Sequence, residues 1–444
     1  MPKLVCLLAA MLFGGAATAH SWYPKECCHD KDCHSVACEE IEPLTGALLC
    51  AALTRSGKPQ QARDPLAPVY RWFAEEFDTR DMKEVKALLE SGIMTTCPKP
   101  AKIESGTLVA TQKAISLALQ GGGSHSAFTW GVLDRLLEDE RLAFDGVTAT
   151  SAGSFNAVLL ADGLALGGRK AARKLLRVFW EKMSDMICSG IMAPSFLNKM
   201  DPGFGLERSP GFLIVDFISR FMSPYQLNPS DKNPVRDLLN EVVDFERVRR
   251  QRLVKLFLSA TTVRTSKIAV FTTDEITADH VIASACVPFK MRAPNIGGEY
   301  YWDGGFMGNP AIFPVIYWCD TCDVLLVHLT PTDRAELPTD SRAILNRMEE
   351  ICFNSALMRE MRMVAFFTQL IDDGKLSGTK RMFFHLIDAN DIIRNLSGSN
   401  KMNADWNFLM YLFKIGRERA DKWLATSFDY LGVKSTVDLK SRCL

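Results

Sequence analysis

A serine in a tight turn is the first residue of this chain that could do chemistry. Ser151 stands in the sequence ATSAG, directly after the apolar stretch 147–149 and before a segment that can continue as a helix. Small residues two positions before and after a serine permit a strained strand-to-helix turn, which lifts the hydroxyl into a cleft. The usual pattern is GxSxG, and Ala149 replaces its first glycine. The pattern predicts a nucleophile at Ser151, with an ordinary serine turn as the alternative.

Three consecutive glycines form the second motif. Gly121, Gly122 and Gly123 follow the apolar run 115–119 and precede a stretch of helical periodicity. Glycines let backbone N–H groups turn toward a ligand, and a helix N-terminus adds positive potential there. An oxyanion hole needs both properties. The loop matches neither the GxGxxG pattern nor the P-loop pattern, which argues against dinucleotide or nucleoside triphosphate binding.

The third motif is a carboxylate far downstream. Asp303 ends a short predicted strand and is followed by two glycines. A carboxylate in that position could take the proton of Ser151 directly, in a relay of two residues. An Asp-Gly turn without chemistry is the alternative for Asp303 alone. The three motifs together are improbable by chance, so the sequence predicts that they form one site.

The elements between these motifs predict an α/β fold. Apolar runs at 115–119, 147–149, 253–262 and 324–329 are typical of buried strands, and helical periodicity follows the first two. In a parallel sheet, strand-to-helix junctions open at the carboxyl edge, where ligands bind. We therefore predict a three-layer α/β/α architecture with a mainly parallel central sheet.

Changes in composition along the chain predict four regions. They are a signal peptide (1–19), a cysteine-rich segment with a helical linker (20–110), an α/β domain (111–335) and a helical C-terminal extension (336–444). The first region has one charged residue, a central apolar run and a small-x-small end, which is the pattern of a secretory signal. The protein is therefore expected to be secreted or periplasmic.

The net charge narrows the choice of partners. The chain carries 52 basic and 52 acidic residues, so its formal net charge is zero. A nucleic-acid binder held by bulk charge would have a basic excess, and this class is disfavoured. Beyond the signal, no segment is apolar enough over about 18 residues to predict a membrane span.

The cysteines divide into two groups that favour different compartments. Cysteines 27, 28, 33, 38, 50 and 97 precede the α/β region, and cysteines 188, 286, 319, 322, 352 and 443 follow. Disulfides are the preferred interpretation of the first group, with a zinc site among residues 28–38 or a floppy leader as alternatives. The second group is expected to be buried free thiols. Cys319 and Cys322 form a CxxC pair, for which redox chemistry is a minor alternative.

Taken together, the motifs resemble the patatin-like phospholipase family. The matching segments are QGGGSHSAFTWGVLDRL, ATSAGSFNAVLLADG, SATTVRT, ASACVPF and YYWDGGFMGNPAIFP. The resemblance covers roughly residues 113–335, and the helical tail looks like the extension of a bacterial subgroup of that family. It implies a lipid acyl hydrolase with Ser151 as nucleophile, Asp303 as base and Gly121, Gly122 and Gly123 as the oxyanion loop. No metal or other cofactor is implied, and the substrate would be a lipid or phospholipid.

Two further hypotheses and one irregular segment remain open. An ordinary α/β hydrolase would complete a triad with His280, His328 or His385. A lipid-binding or effector protein with impaired catalysis is the other hypothesis, because Ser126 stands where the family usually has glycine. Residues 187–229 alternate Pro, Gly, Phe and Met with little periodicity, which suits either a surface excursion or an apolar rim that contacts a bilayer.

Overall fold

The computed structural model describes residues 112–190, 193–195, 204–334, 336–376, 379–396 and 398–439. The predicted signal peptide 1–19 and the cysteine-rich segment with its linker, 20–110, lie outside the described residues. So do Cys443 and part of the irregular stretch 187–229.

A mixed sheet lies at the centre of the described residues. Its strands are β1 (Lys113–Leu119), β2 (Leu142–Thr150), β3 (Lys255–Thr262), β4 (Ile268–Thr272), β5 (Asn295–Ile296), β6 (Glu299–Asp303), β7 (Asp323–His328) and β8 (Phe383–Asp388). The order is β5-β6-β3-β2-β1-β7-β8, with β4 also paired to β3. Strands β3, β2, β1, β7 and β8 run parallel, whereas β4, β5 and β6 are antiparallel to their neighbours. The prediction of a mainly parallel sheet is confirmed.

Strand β8 corrects the prediction for the C-terminal region. The sequence pattern predicts only helices over 336–444, but Phe383–Asp388 pairs in parallel with β7. Its first three residues are buried. A short apolar run cannot be distinguished from a buried helical turn by periodicity alone. The extension therefore adds a strand to the central sheet in addition to its helices.

Helices of very different length surround the sheet. In chain order they are α1 (Ser126–Leu136), α2 (Ala152–Cys188), α3 (Pro210–Ile218), α4 (Pro224–Leu227), α5 (Pro234–Val242), α6 (Phe245–Arg250), α7 (Ala278–Ser284), α8 (Phe313–Trp318), α9 (Ser341–Asp372), α10 (Asn390–Ile393) and α11 (Trp406–Ser427). Helix α2 is interrupted at Gly168, where φ is 74°. Glycine tolerates that left-handed backbone without steric cost, so the chain can bend there.

The side chains of β7 show that the sheet is the middle of three layers. Leu325 and Val327 belong to one hydrophobic core, whereas Val324 and Leu326 belong to another. Successive residues of a strand point to opposite faces, so the two cores lie on the two faces of the sheet. Helices α1, α2 and α11 contribute to the first core, and α8 and α9 contribute to the second. This confirms the predicted α/β/α architecture.

The C-terminal helix α11 packs closely on α1, the helix that follows the glycine loop. A Cβ on Gly131 of α1 would overlap the backbone of Phe413, and a Cβ on Gly416 of α11 would overlap the carbonyl of Phe128. The two glycines thus allow an unusually close approach of the helix backbones. Trp130 lies beside this crossing, with its ring centroid 4.2 Å from that of Phe413.

Candidate active site

Ser151 occupies a sharp turn between β2 and α2. Its φ is 55° and its ψ is −133°, a region that a non-glycine residue adopts at a cost of about 1–3 kcal/mol. The turn is held by the backbone N–H of Ser151, which donates to Ser284 Oγ at 2.9 Å. Gly153 completes it, because a Cβ at that position would come within 2.5 Å of the Leu119 carbonyl oxygen. The strained serine turn that the local sequence predicts is therefore confirmed by the backbone conformation of Ser151.

The register of β3 brings Asp303 to this turn. Thr150, the residue before the serine, is paired with Ser259 of β3. Asp303 is paired with Ala260, the next residue of the same strand. The Thr261 hydroxyl donates to the carbonyl oxygen of Asp303 at 2.9 Å. Residues far apart in sequence thus become neighbours because two strands pair with consecutive positions of β3.

The carboxylate of Asp303 is completely buried and only partly satisfied. Its Oδ1 accepts the N–H of Gly305 at 2.7 Å, and its Oδ2 has no hydrogen-bond partner among the described residues. Burial raises the pKa of Asp303 to about 7, although interactions with the Ser151 hydroxyl and the Gly305 amide lower it. The effect of Ser151 indicates that the hydroxyl lies near the carboxylate, even though no hydrogen bond of full geometry joins them. A carboxylate with this pKa can accept a proton near neutral pH.

The position of that pKa predicts how activity depends on pH. Asp303 accepts a proton only when it is ionised, so kcat/KM for p-nitrophenyl butyrate is expected to rise with pH and level off above about 7. The measurement is a pH profile between about pH 5 and about pH 9, with circular dichroism at each pH as the control for folding. Constant activity down to about pH 5 would exclude Asp303 as the group that titrates.

The glycine loop packs against Ser151, and its N–H groups differ in whether they have an acceptor. A Cβ on Gly121 would overlap the Cβ of Ser151. The Gly121 N–H is already used, because it donates to Asn309 Oδ1 at 2.8 Å. In the part of the chain that the structure describes, the N–H groups of Gly122 and Gly123 have no acceptor. Gly123 also has a φ of 59°, a conformation that favours glycine.

Two buried amides behind the loop were not recognised in the sequence. Gln120 Oε1 accepts the N–H groups of Leu329 and Thr330 at 2.6 and 2.7 Å. Its Nε2 donates to the carbonyl of Asn309 at 3.1 Å, and Asn309 holds Gly121. Asn309 lies within YYWDGGFMGNPAIFP, the last segment of the family resemblance. Its place in that segment was the signal in the sequence that could have identified it. Its partners, Gln120 and Gly121, follow β1 and lie 189 and 188 residues earlier in the chain, so local patterns do not reveal its contacts.

A cavity of about 160 Å³ lies between these groups. The serine turn, the glycine loop and Asp303 share its wall with apolar side chains and with three other charged side chains. The lining includes Gly121, Gly122, Gly123, Ser151, Phe155, Val287, Lys290, Asp303, Leu329, Glu349, Phe353, Lys401 and Met402. The structure thus brings together all five residues predicted from the sequence. A larger cavity of about 770 Å³ is lined by Arg334, Asp340 and Arg347 and contains none of those five.

The histidines of the triad hypothesis are occupied elsewhere. His280 Nδ1 accepts the N–H of Thr277 at the start of α7, and His328 Nε2 lies 3.3 Å from Asn354 Oδ1. His385 is paired with Asp323 at 2.9 Å. None of these three histidines lines the cavity, so a triad through them has no geometric support.

His125 is the histidine that does line the cavity. Its Nε2 lies 2.6 Å from Asn400 Oδ1, and burial lowers its pKa to about 4. The ring is therefore neutral at physiological pH. Its bond to Asn400 connects the start of α1 to the turn at 398–402. His125 is thus a buried polar residue at the start of a helix.

Ser126 does not crowd the site. It is the first residue of α1, it is fully buried, and it is absent from the cavity wall. Its carbonyl accepts the side-chain N–H of Asn156 at 3.0 Å, and its hydroxyl has no partner within the described ranges. Ala149 is also buried, within β2, so both departures from the family pattern are accommodated outside the space that a substrate would fill.

The cysteines of the core partly follow the prediction. Cys286, Cys319 and Cys352 are free thiols, although Cys352 is exposed, and the Cys188 thiol donates to the carbonyl oxygen of Ala404. The prediction is wrong for Cys322, which is disulfide-bonded and therefore cannot form a dithiol with Cys319. Burial raises the pKa of the Cys319 thiol to about 11, which makes it a poor nucleophile. The zinc interpretation concerns residues 28–38, which lie outside the described residues.

The described part of the irregular stretch 187–229 carries an apolar surface. Leu213, Ile214 and Phe217 of α3 are exposed, and so is Phe221 just beyond it. Within the described ranges, no helix combines the length and apolar content that a membrane crossing requires. The stretch is thus a surface element with an unusual concentration of exposed large apolar side chains.

Part of the chain is similar to a known protein family, and two solved structures show a distant similarity. Residues 117–316 match the family described as patatin-like phospholipase. VipD from Legionella pneumophila is 16% identical, with 76% of this chain and 73% of that chain covered and a TM-score of 0.36. The type III effector ExoU is 14% identical, with 71% and 53% covered and a TM-score of 0.29, so the chain spans about half of ExoU. No curated protein sequence matches this chain.

Proposed function

We propose that this chain is a serine acyl hydrolase that cleaves carboxylic esters of lipids, because residues 117–316 match the family described as patatin-like phospholipase. The observation that carries the proposal is the arrangement of Asp303, a buried carboxylate with a free Oδ2 and a pKa of about 7, beside the strained Ser151. A structural aspartate of this kind would be expected to have its second oxygen paired, since an unsatisfied buried acceptor costs about 1–3 kcal/mol.

The proposed reaction proceeds through an acyl-enzyme. Ser151 Oγ attacks the ester carbonyl carbon while its proton moves to Asp303 Oδ2. The oxygen that becomes negative is held by the N–H groups of Gly122 and Gly123, and each such donor contributes about 3 kcal/mol to lowering the barrier. Asp303 returns the proton to the leaving alcohol. It then takes a proton from water, which attacks the acyl-enzyme. As the bond from the acyl carbon to Ser151 Oγ breaks, Asp303 returns that proton to Oγ, and the fatty acid and free Ser151 are released.

This assignment modifies the predicted role of one glycine. Gly121 donates its N–H to Asn309, so we assign the donor function to Gly122 and Gly123. The task of Gly121 is steric, because a side chain there would displace Ser151. The neutral His125 lies in the same wall, but its ring is bound to Asn400 and it is not needed as a base.

The size of the cavity bears on how a lipid would bind. A volume of about 160 Å³ is below the range of roughly 300–1,000 Å³ that is usual for ligand pockets. It suits an ester group and glycerol rather than a whole acyl chain. We propose that the acyl chain stays in contact with the bilayer and with exposed apolar residues of the protein, among them Phe217, Phe221 and Phe289, which is next to the cavity residue Lys290.

Two helices would form this rim. Asp216 of α3 is paired with Arg342 of α9 at 3.0 Å, which ties the apolar surface of α3 to the start of α9. Exposed Leu345 and Met348 lie on α9 near Glu349, which lines the cavity. An exposed apolar surface of this kind beside a hydrolase cavity supports peripheral contact with a membrane.

A secreted or periplasmic location also remains our proposal. Its support is the signal-like pattern of residues 1–19 and the disulfide at Cys322, since disulfides persist in oxidising compartments. Amino-terminal sequencing of the mature protein from a spheroplast supernatant tests it, with His20 as the expected first residue.

A fluorophosphonate probe tests the proposed chemistry. Such a probe reacts with activated serines, so peptide mapping of the labelled protein is expected to place the label on Ser151. Heat-denatured protein is the control, because labelling should require the folded site. Absence of label, or label on another serine, would contradict the proposal; binding to liposomes without any hydrolysis would favour a lipid-binding protein instead.

A further inference from the structure

We infer that Lys290 and Lys401 bind the phosphate group of a glycerophospholipid, and so select phospholipids over acylglycerols without phosphate. The inference rests on the proposed hydrolase function and specifies its substrate. Both lysines line the cavity that contains Ser151 and the glycine loop. They come from segments separated in sequence from the three motifs and from each other, so local patterns in the sequence did not suggest them.

The first step concerns Lys401, whose position relative to the loop is fixed. It lies in the turn Gly398–Met402, and its carbonyl oxygen packs so close to Gly123 that a Cβ there would overlap it. Its ammonium group is paired with Glu349 Oε2 at 3.3 Å, and both side chains are partly exposed. The cation is therefore held at the cavity by a single, solvent-accessible carboxylate, which an incoming phosphate could replace or share.

The second step concerns Lys290, which has no direct ion pair among the described residues. Its side chain as a whole is exposed, at the end of the loop that contributes Ala285 and Val287 to the same wall, whereas burial around its ammonium group lowers the pKa of Lys290. Its neighbour Phe289 is 74% exposed and belongs to the apolar surface proposed to meet the bilayer. An unpaired ammonium next to an exposed aromatic ring, at the mouth of an ester-binding cavity, suits the boundary between acyl chains and head groups.

The third step is the balance of charge. The charged residues of the cavity wall are Lys290, Lys401, Glu349 and Asp303, so once Asp303 has taken the proton of Ser151 the wall carries one positive charge in excess. A phosphodiester carries one negative charge and is joined to the scissile ester by a short glycerol linker. With the ester carbonyl at Ser151, the phosphate would reach the wall of the same small cavity. An acylglycerol would leave the excess charge without a partner.

A different role for these charges must be separated from this one. Glu349 raises the pKa of Asp303 and Lys401 lowers it, so both residues act on the proposed base. A change in the basicity of Asp303 would alter the hydrolysis of every ester to a similar degree. Phosphate binding, in contrast, changes the ratio between a substrate with phosphate and one without it.

The test is that ratio in wild-type and variant proteins. The substrates are dihexanoyl phosphatidylcholine and dihexanoylglycerol, both kept monomeric so that adsorption to a lipid surface does not contribute. In Lys290→Met, the ratio of kcat/KM for the phospholipid to that for the diacylglycerol is expected to fall about tenfold, the effect of losing a hydrogen bond to a charged group. Lys290→Arg keeps the positive charge and should therefore keep most of the wild-type ratio.

Glu349→Gln provides a second measurement with the opposite sign. Removing this carboxylate frees Lys401 for the phosphate and removes a repulsive charge, so the same ratio should rise. Lys174→Met is the matched control, because Lys174 is an exposed lysine on α2 that does not line the catalytic cavity. It should leave both values of kcat/KM unchanged.

Each outcome decides a different point. An active wild-type protein whose ratio is unaltered in Lys290→Met and in Glu349→Gln would overturn this inference and leave the hydrolase proposal intact. A folded wild-type protein that hydrolyses neither ester would overturn the proposed function, and this inference with it. Opposite changes of the ratio in the two variants would support the role of the lysines.

Discussion

Replacing Ser151 by alanine is expected to lower kcat/KM for p-nitrophenyl butyrate at least 10,000-fold, roughly the loss seen when an enzyme loses its covalent nucleophile. The hydroxyl is the group that attacks the ester in the proposed reaction, and alanine removes it without adding volume beside Gly121. Residual turnover would come from the donors of Gly122 and Gly123 acting on bound water. The measurement is steady-state kinetics on protein whose fold is verified by circular dichroism.

Ser126→Ala is the matched control for this experiment. Ser126 is also a buried serine near the loop, but its hydroxyl has no partner among the described residues and does not face the cavity. We expect kcat/KM to stay within about twofold of the wild type, in line with the small effects of changes away from a site. A Ser151→Ala protein that keeps most of its activity would rule out the nucleophile assignment.

Replacing Asp303 by asparagine is expected to lower activity and to raise stability at alkaline pH. Loss of the general base should lower kcat about 1,000-fold or more. The folded-state pKa of Asp303 is about 7, well above the value of about 3.9 in an unfolded chain. At pH values between these two pKa values, the Asp303 side chain is protonated in the folded state and ionised in the unfolded state. The free energy of unfolding therefore falls as pH rises through this window, and asparagine, which does not ionise, escapes that loss.

The size of the effect can be checked by urea unfolding at two pH values. Near pH 4 the wild type and Asp303→Asn should be similarly stable, because both side chains are neutral. Near pH 8 the variant should be more stable by on the order of 2–4 kcal/mol. Asp162→Asn is the control: Asp162 is equally buried but paired with Arg247, so the same substitution should destabilise the protein. A less stable Asp303→Asn protein near pH 8 would show that the carboxylate is structural.

The local part of this site was predictable and the tertiary part was not. A strained serine turn and a glycine loop can be predicted from a few adjacent residues, because each depends on small side chains at fixed positions in the sequence. The bond from Gly121 to Asn309 depends on which strands become neighbours, and no periodicity encodes it. The same holds for Lys290 and Lys401, which reach the cavity from loops whose local sequence is unremarkable.

Two of the places where the sequence prediction failed have a common cause. Residues 383–388 join the sheet although helices surround them, and Cys322 is bonded although its neighbours suggested a free thiol. Both outcomes are decided by what lies beside the residue in space. The overall order of strand and helix was recovered because long apolar runs and helical periodicity are strong local signals.

The close packing of α11 on α1 limits how the chain could be shortened. Gly416 lies against the backbone of the helix that begins at the oxyanion loop, and the carbonyl of Lys401 lies against Gly123. A protein ending at residue 335 would keep Ser151 and Asp303 but lose the peptide that supports the loop beside them. The segment that matches the family and the tail that follows it therefore form one structural unit, and a boundary drawn at the end of the matched segment would cut through the wall of the cavity.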